Sequence, residues 1–239
     1  MSETHNIDYN KTALEIISSL TGINQSIVFE KSEDDEDRIV SKSSDANRSI
    51  AYVFDAPKEV FDFDGDECSF YNFNEFYTLF NVFENPELEQ NDAEITVKEN
   101  RSKINFRLTD SELVKKSFNK VKFEDADVEF VMDSELIKRI KTLASGNSVN
   151  ADRIKFSVEG EELTYKLYNT KHHNTFDEKL DVENEGDAEF TIEVDMKIWN
   201  KIPNASYKIS MKEEGILRLE MVRDDEISVQ IFTADMEDS

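Results

Sequence analysis

Apolar residues in the first half of the chain follow two spacings, one typical of helices and one typical of strands. Between residues 9 and 20, Ala13, Leu14 and Ile17 recur every three or four positions, which predicts an amphipathic helix. Residues 73–83 show the same spacing with aromatic side chains, and Asn72 precedes them as an N-cap. Strand-like runs between these helices and after them predict strands at 26–30, 38–43, 49–55, 67–71, 93–98, 103–108 and 111–115.

The second half of the chain has the same two spacings in the same order. Asp133 is a suitable N-cap for a helix whose apolar face includes Ile137, and Gly146 predicts a left-handed C-cap for that helix. Asp195 introduces a shorter helix that carries Trp199. Strands are predicted at 128–132, 153–159, 163–168, 176–182, 189–194, 207–211, 216–221 and 227–232.

The two halves therefore read as an internal repeat of helix, strands, helix and meander. The clearest match aligns residues 69–80 and 93–108 with residues 190–202 and 206–221. This repeat is longer than the 20–50 residues typical of solenoid arrays. We predict an α+β fold of two tandem similar domains, 1–115 and 127–239, joined by a connector at 116–126.

The charge of the chain limits its classes of partner. The sequence has 53 acidic and 28 basic side chains, a formal net charge of −25, which argues against tight adhesion to a phosphate backbone. Residues 101–122 are an exception, with 7 basic and 2 acidic side chains. This basic segment is a candidate linker or partner-docking segment, although a solvated turn would have the same composition.

Cysteine use and hydropathy indicate a compartment. Cys68 is the single cysteine, which excludes an internal disulfide and fits a reducing environment. No run approaches the about 18 consecutive apolar residues of a membrane span. The first residues also lack the basic and apolar regions of a signal peptide. We therefore expect a soluble cytoplasmic protein, in the host cell cytoplasm if it is viral, that does not contact a membrane.

No sequence motif indicates an active site. Residues 62–66 resemble the start of a calcium loop, but the glycine comes too early and the terminal Glu is missing, which favours an acidic turn. His172 and His173 are adjacent, so on a strand their side chains would point to opposite faces. Cys68 has no basic neighbour and reads as a core residue. We expect no catalytic residues, no bound metal and no cofactor, and hence a protein that is not an enzyme.

Cationic side chains lie on the predicted outer faces of the helices. They are Lys11 on the first helix, Lys138, Arg139 and Lys141 on the third, and Lys197 and Lys201 on the fourth. Any one lysine on a helix surface is explained by solubility alone. Several helices with polar or basic outer faces in so acidic a chain suggest a surface compatible with a polyanion.

The segments at 12–31 and 207–221, together with the tandem repeat, resemble the DNA polymerase sliding clamps (processivity factors) of large tailed bacteriophages. They are similar, more distantly, to proliferating cell nuclear antigen. The resemblance implies a homotrimeric ring that encircles duplex DNA independently of sequence. It also implies a DNA polymerase and an ATP-driven clamp loader as partners, and in related phages a role in late transcription with RNA polymerase-associated factors.

The resemblance also implies three sets of functional residues. The DNA-facing residues would be Lys11, Lys138, Arg139, Lys141, Lys197 and Lys201. The pocket for partner peptides would comprise Ile39, Val40, Phe118, Val121, Phe123 and Phe232. The subunit interface would comprise Ser111, Glu112, Leu113, Val114, Phe176, Leu180 and Val182. The second helix departs from the basic pattern, because Glu75 is its single charged residue.

Two other function classes remain open from the residues alone. An acidic interaction protein, such as a DNA mimic, would use the carboxylates themselves as its binding surface. A hydrolase that uses a pair of carboxylates is a third reading, although the abundance of such pairs makes none of them informative.

Overall fold

The computed structural model describes residues 5–91, 93–114, 123, 125–146, 149–180 and 187–234. Within them the chain forms 16 strands and four α-helices. It divides into two compact units, one spanning Met1–Ala46, Tyr52–Phe118 and Asp225–Val229, the other spanning Asn47–Ala51, Asn119–Asp224 and Gln230–Ser239. The predicted α+β class, with antiparallel sheets and few helices, is confirmed.

The first unit contains two α-helices and two groups of antiparallel strands. Its elements are β1 (His5–Ile7), α1 (Lys11–Leu20), β2 (Ile27–Lys31), β3 (Arg38–Ser44), β4 (Ile50–Pro57), β5 (Glu67–Phe70), α2 (Phe73–Phe80), β6 (Glu87–Gln90), β7 (Glu94–Glu99) and β8 (Ser102–Arg107). The strand orders are β1-β6-β7-β8 and β5-β2-β3-β4. Both helices begin at asparagine caps: the side chain of Asn10 accepts from Thr12 N at 2.9 Å, and that of Asn72 accepts from Glu75 N at 3.4 Å.

Phenylalanine rings form the core of the first unit. The ring of Phe70 on β5 lies 4.8–6.2 Å from five other rings, all in edge-on or tilted contacts. These rings belong to Phe29, Phe61, Phe73, Phe76 and Phe106. Aromatic pairs at such distances stabilise a core beyond the burial of their area. The rings join β2, β5, α2 and β8, so they hold both groups of strands against α2.

The second unit repeats this plan. Its elements are β9 (Val128–Met132), α3 (Ser134–Ser145), β10 (Arg153–Glu159), β11 (Glu162–Tyr168), β12 (Thr175–Leu180), β13 (Glu189–Asp195), α4 (Met196–Trp199), β14 (Tyr207–Lys212), β15 (Ile216–Met221) and β16 (Ser228–Ala234). The strand orders are β12-β11-β10-β13 and β9-β14-β15-β16. Asp133 caps α3 as predicted, because its Oδ1 accepts from Leu136 N at 2.7 Å. Trp199 of α4 is fully buried, with its ring 5.5 Å from that of Phe156.

Three local predictions are wrong. Ser111–Leu113 forms a 3₁₀ turn instead of a strand, since Asp110 Oδ1 accepts from Glu112 N and closes the backbone there. Gly146 follows α3 in an extended conformation with φ −66°, so it is not a left-handed cap. The fourth helix is a single turn that ends at Trp199, which leaves Lys201 beyond it.

Candidate functional site

The outer face of the first unit's helices is polar and holds one of the predicted cations. Lys11 begins α1, and its Nζ donates to the backbone oxygen of Glu84, in the segment that follows α2. Ser18 Oγ donates to Asn74 Oδ1 at 2.9 Å and joins α1 to α2. The ammonium of Lys11 therefore sits near the end of α2, and the rest of this face is neutral or acidic.

Lys138 and Lys197 are exposed on the helices of the second unit. Lys138 lies in the middle of α3, and Lys197 in the single turn of α4, where Asp195 Oδ1 accepts from Lys197 N at 2.7 Å. Lys201 is half-buried in the turn after α4. The ammonium groups of Lys138 and Lys197 thus remain available to a polyanion outside the molecule.

Arg139 has a partner within the protein. Its guanidinium contacts Glu178 of β12, and the hydroxyl of the buried Tyr165 donates to the same carboxylate at 2.6 Å. Hydrogen bonds from Tyr165 and Arg139 lower the pKa of Glu178, and the bond to Glu178 raises the pKa of Arg139. Arg139 therefore joins α3 to the end strand β12, and its charge is partly compensated there.

Lys141 is held by the turn that follows α4. Its Nζ donates to the backbone oxygen of Ile202 and, at 2.9 Å, to Asn204 Oδ1. Burial lowers the pKa of Lys141 to about 8. These contacts join α3 to the segment after α4, so Lys141 contributes to the helix arrangement besides any effect of its charge.

The predicted peptide pocket is distributed over both units. In the first unit Ile39 and Val40 of β3 are buried, and in the second unit Phe232 of β16 is buried. Phe118 and Val121 lie outside the described residues. Phe123 is partly exposed, and its ring centroid lies 4.5 Å from the guanidinium carbon of Arg218.

Sequence reasoning missed Arg218, although the alternation of apolar and polar residues in β15 does place it opposite the buried face. A cavity of about 400 Å³ lies beside it, lined by Phe123, Asp125, Ala126, Glu129 and Arg218. The cavity therefore combines one aromatic ring, one guanidinium and two carboxylates.

The predicted interface residues lie near two strands that end their sheets. β8 ends the order β1-β6-β7-β8, and β12 ends the order β12-β11-β10-β13. Phe176 and Leu180 belong to β12 and are half-buried, while Val182 lies outside the described residues. Leu113, in the 3₁₀ turn after β8, is 75% exposed. Ser111 is buried beside it and donates to Glu67.

The described ranges offer little for metal, thiol or membrane chemistry. No set of three or more His, Cys, Asp and Glu side chains there is arranged to hold a metal ion. Burial raises the pKa of the Cys68 thiol, which keeps it protonated. No helix among the residues described is long and apolar enough to cross a membrane.

The order of strands and helices defines the class to which the fold belongs. The chain has the fold of the PCNA sliding clamps, and this likeness extends over both units. No protein-family model and no curated protein sequence matches it.

The likeness rests on solved structures. Proliferating cellular nuclear antigen from Entamoeba histolytica superposes with a TM-score of 0.74 and 14% identity, over 98% of this chain and 99% of that one. PCNA from Thermococcus kodakaraensis gives 0.72 and 15%, over 98% and 100%. PCNA from A. fulgidus, solved with the C-terminal region of FEN-1 bound, gives 0.71 and 13%, over 98% of each chain.

Proposed function

We propose that this chain is the subunit of a DNA sliding clamp, a closed homotrimeric ring that encircles duplex DNA and tethers the replicative DNA polymerase. The observation that carries the proposal is the PCNA fold over 98% of this chain and 99% of the Entamoeba histolytica protein, which leaves neither domain without a counterpart. In this proposal residues 1–115 and 127–239 are the two clamp domains, and residues 116–126 connect them.

Holding DNA by enclosure agrees with the charge of the chain. A net charge of −25 per subunit opposes tight adhesion to phosphates, but a closed ring needs none, because topology keeps it on the duplex. The exposed Lys138 and Lys197 would make weak, water-bridged contacts that centre the duplex without stopping its movement. Lys11, Arg139, Lys141 and Lys201 complete the proposed lining, with part of their hydrogen-bonding capacity used inside the protein.

The ring would close through its end strands. We propose that β8 of one subunit pairs with β12 of the next, with Ser111–Leu113 and Val114 beside the junction. β8 carries the exposed Lys103 and Arg107, whereas β12 carries the exposed Asp177 and Lys179 and the half-buried Glu178, which Arg139 already contacts. Asp177 of β12 could pair with Lys103 or Arg107 of β8, whereas two copies of β8 would bring like charges together.

Partner proteins would bind through short terminal segments. The A. fulgidus PCNA structure contains the C-terminal region of FEN-1, which supports this mode for a protein of the same fold. By this analogy the DNA polymerase and an ATP-driven clamp loader would dock through the residues predicted for this role, among them Ile39 and Val40 of the first unit and Phe123 and Phe232 of the second. A bacteriophage origin and a role in late transcription belong to the same proposal and rest on the sequence resemblance.

Mass and topology test the proposal together. Light scattering coupled to size exclusion should give three times the chain mass of 27.7 kDa at micromolar concentration. After loading with ATP and a loader complex, the protein should stay on nicked circular DNA and leave when the circle is linearised. A protein that remains monomeric with the loader present, or that stays equally well on linear DNA, would overturn the proposal.

The excess of acid supports one alternative, a DNA mimic that occupies the nucleic-acid site of another protein. Its 53 carboxylates would then be the functional surface and the helix lysines incidental. A mimic would compete with DNA for a DNA-binding protein and would show no retention on circular DNA in the assay above.

A further inference from the structure

A row of side chains crosses the sheet β9-β14-β15-β16 on the face opposite to the second unit's core. The strand register places Glu129 beside Ser210, Ser210 beside Arg218, and Arg218 beside Phe232. The ring of Phe123 covers Arg218 with 4.5 Å between ring centroid and guanidinium carbon, and Lys212 Nζ lies 5.7 Å from the same ring. Arg218 is thus enclosed by an aromatic ring and two polar neighbours, with a side-chain exposure of 21%.

The hydrogen bonds of Arg218 are incomplete. Its Nη2 donates to Ser210 Oγ at 3.1 Å, and the closest approach to Glu129 is 3.7 Å, which is too long for a hydrogen bond. Its Nε is buried and has no acceptor among the residues that the structure describes. Because a buried donor without an acceptor costs stability, such a group needs an explanation, and a ligand that completes it is one.

The carboxylates that line the cavity do not complete the hydrogen bonds of Arg218. Glu129 is already engaged by Lys208 at 2.8 Å and by Ser210 at 2.9 Å, and these hydrogen bonds lower its pKa. Asp125 is the other carboxylate that lines the cavity, and it is exposed. Arg218 is thus the cation that lines the cavity among the described residues, and neither Glu129 nor Asp125 accepts a hydrogen bond from its Nε.

We propose that this cavity of about 400 Å³ binds an Asp or Glu side chain of a partner's peptide segment, whose apolar neighbour packs against Phe123. The carboxylate would accept from Nε and from the free N–H of Nη2, the side-on geometry in which a guanidinium binds carboxylates most strongly. The inference rests on the proposed function in one respect, since the segment is the tail of a clamp-binding protein.

The geometry favours a side chain over other carriers of negative charge. A side-chain carboxylate extends away from its backbone, so it can approach the guanidinium that Phe123 covers. A terminal carboxylate would have to bring its own backbone into the same space. A nucleic-acid backbone carries many charges and would be repelled by Asp125, Glu129 and the rest of this acidic chain.

Fluorescence polarisation with two short labelled peptides tests the proposal. Both peptides end in a C-terminal amide and contain one aromatic residue. One peptide has Glu beside the aromatic residue, and the other has Gln at the same position. The wild-type protein should bind the Glu peptide about tenfold more tightly, the magnitude expected for a charge-assisted hydrogen bond. Arg218→Lys keeps the positive charge but loses the paired N–H donors of the guanidinium, so it should abolish this preference. The control Lys166→Gln, at an exposed position of β11, should keep the preference.

A direct readout covers the case in which the Arg218 variant is unstable. In the wild-type protein, the NMR signal of the Arg218 side-chain Nε–H should shift on addition of the Glu peptide and stay in place with the Gln peptide. Equal binding of both peptides, or an unmoved Arg218 signal at saturation, would overturn the inference. Trimer mass and retention on circular DNA are measured on the same sample, so a failed peptide preference in an intact ring leaves the proposed function standing.

Discussion

At the scale of single residues, stability is concentrated in the phenylalanine rings of the first unit. Phe70 has no exposed surface, and its ring contacts rings from β2, α2 and β8. An aliphatic side chain at this position would not supply the edge-on and tilted ring contacts that join these elements. The three cations of α3 lie close together but have different environments. Lys138 is exposed, whereas Arg139 contacts Glu178 and Lys141 contacts Ile202.

Replacing Phe70 by alanine should destabilise the first unit strongly. We expect Phe70→Ala to lower the free energy of unfolding by about 3–5 kcal/mol, since it removes a buried ring and leaves a cavity. Urea unfolding followed by circular dichroism measures the change. Val82→Ala is a suitable control, because Val82 is 67% exposed and its loss should cost less than about 0.5 kcal/mol. A cost below about 1 kcal/mol for Phe70→Ala would contradict this account of the core.

At the scale of elements, β8 is the strand whose outer edge matters most for the proposed ring. The β7–β8 hairpin turns through Asn100 and Arg101, with Glu99 opposite Ser102 and Asn100 at φ 54°. In a two-residue hairpin the closing pair is hydrogen-bonded, and such pairs alternate along the ladder. The backbone groups of Lys103, Asn105 and Arg107 therefore point away from β7, toward the proposed partner strand.

Proline at the middle of this edge should prevent assembly. Asn105→Pro removes an outward N–H and keeps the ladder between β7 and β8, so we expect a folded monomer with unchanged far-ultraviolet circular dichroism. Asn105→Ala also loses the side-chain hydrogen bond to Glu94, 3.1 Å long, but keeps the N–H, and should remain trimeric. Analytical ultracentrifugation measures the oligomeric state of both variants. A trimeric Asn105→Pro protein would exclude β8 from the interface.

At the scale of the whole molecule, charge opposes assembly while the strand edges favour it. Each subunit carries a net charge of −25, so bringing three together concentrates like charge. The attraction between β8 and β12 involves a few exposed pairs, each of which contributes at most about 1 kcal/mol. The long-range repulsion is therefore the larger electrostatic effect at low ionic strength.

Salt should accordingly strengthen the ring. Raising the ionic strength from about 0.01 M to about 0.15 M shortens the Debye length from about 30 Å to about 8 Å, which screens repulsion between subunits more than contacts within the interface. We expect the trimer fraction at a fixed micromolar concentration to rise over this range, as measured by sedimentation equilibrium. Dissociation on addition of salt would mean that ion pairs across the interface dominate its stability.

The sequence predicted some elements well and others poorly, for identifiable reasons. The spacing of apolar residues located α1, α2 and α3 because each buries one continuous face. β6 (Glu87–Gln90) was missed, since Leu88 is its single apolar residue and its strand character comes from pairing with β1 and β7. The 3₁₀ turn at Ser111–Leu113 was mistaken for a strand because Asp110 redirects the backbone there.

By itself, the sequence determined the α+β class, the internal repeat and the excess of negative charge. These properties depend on composition and on residues a few positions apart, so they can be read along the chain. Only the tertiary structure decided that Arg139 meets Glu178, that Lys141 meets Ile202, and that Phe123 covers Arg218. Each of those partners is tens of residues away in the chain, and no local pattern specifies which distant side chain a flexible cation will meet.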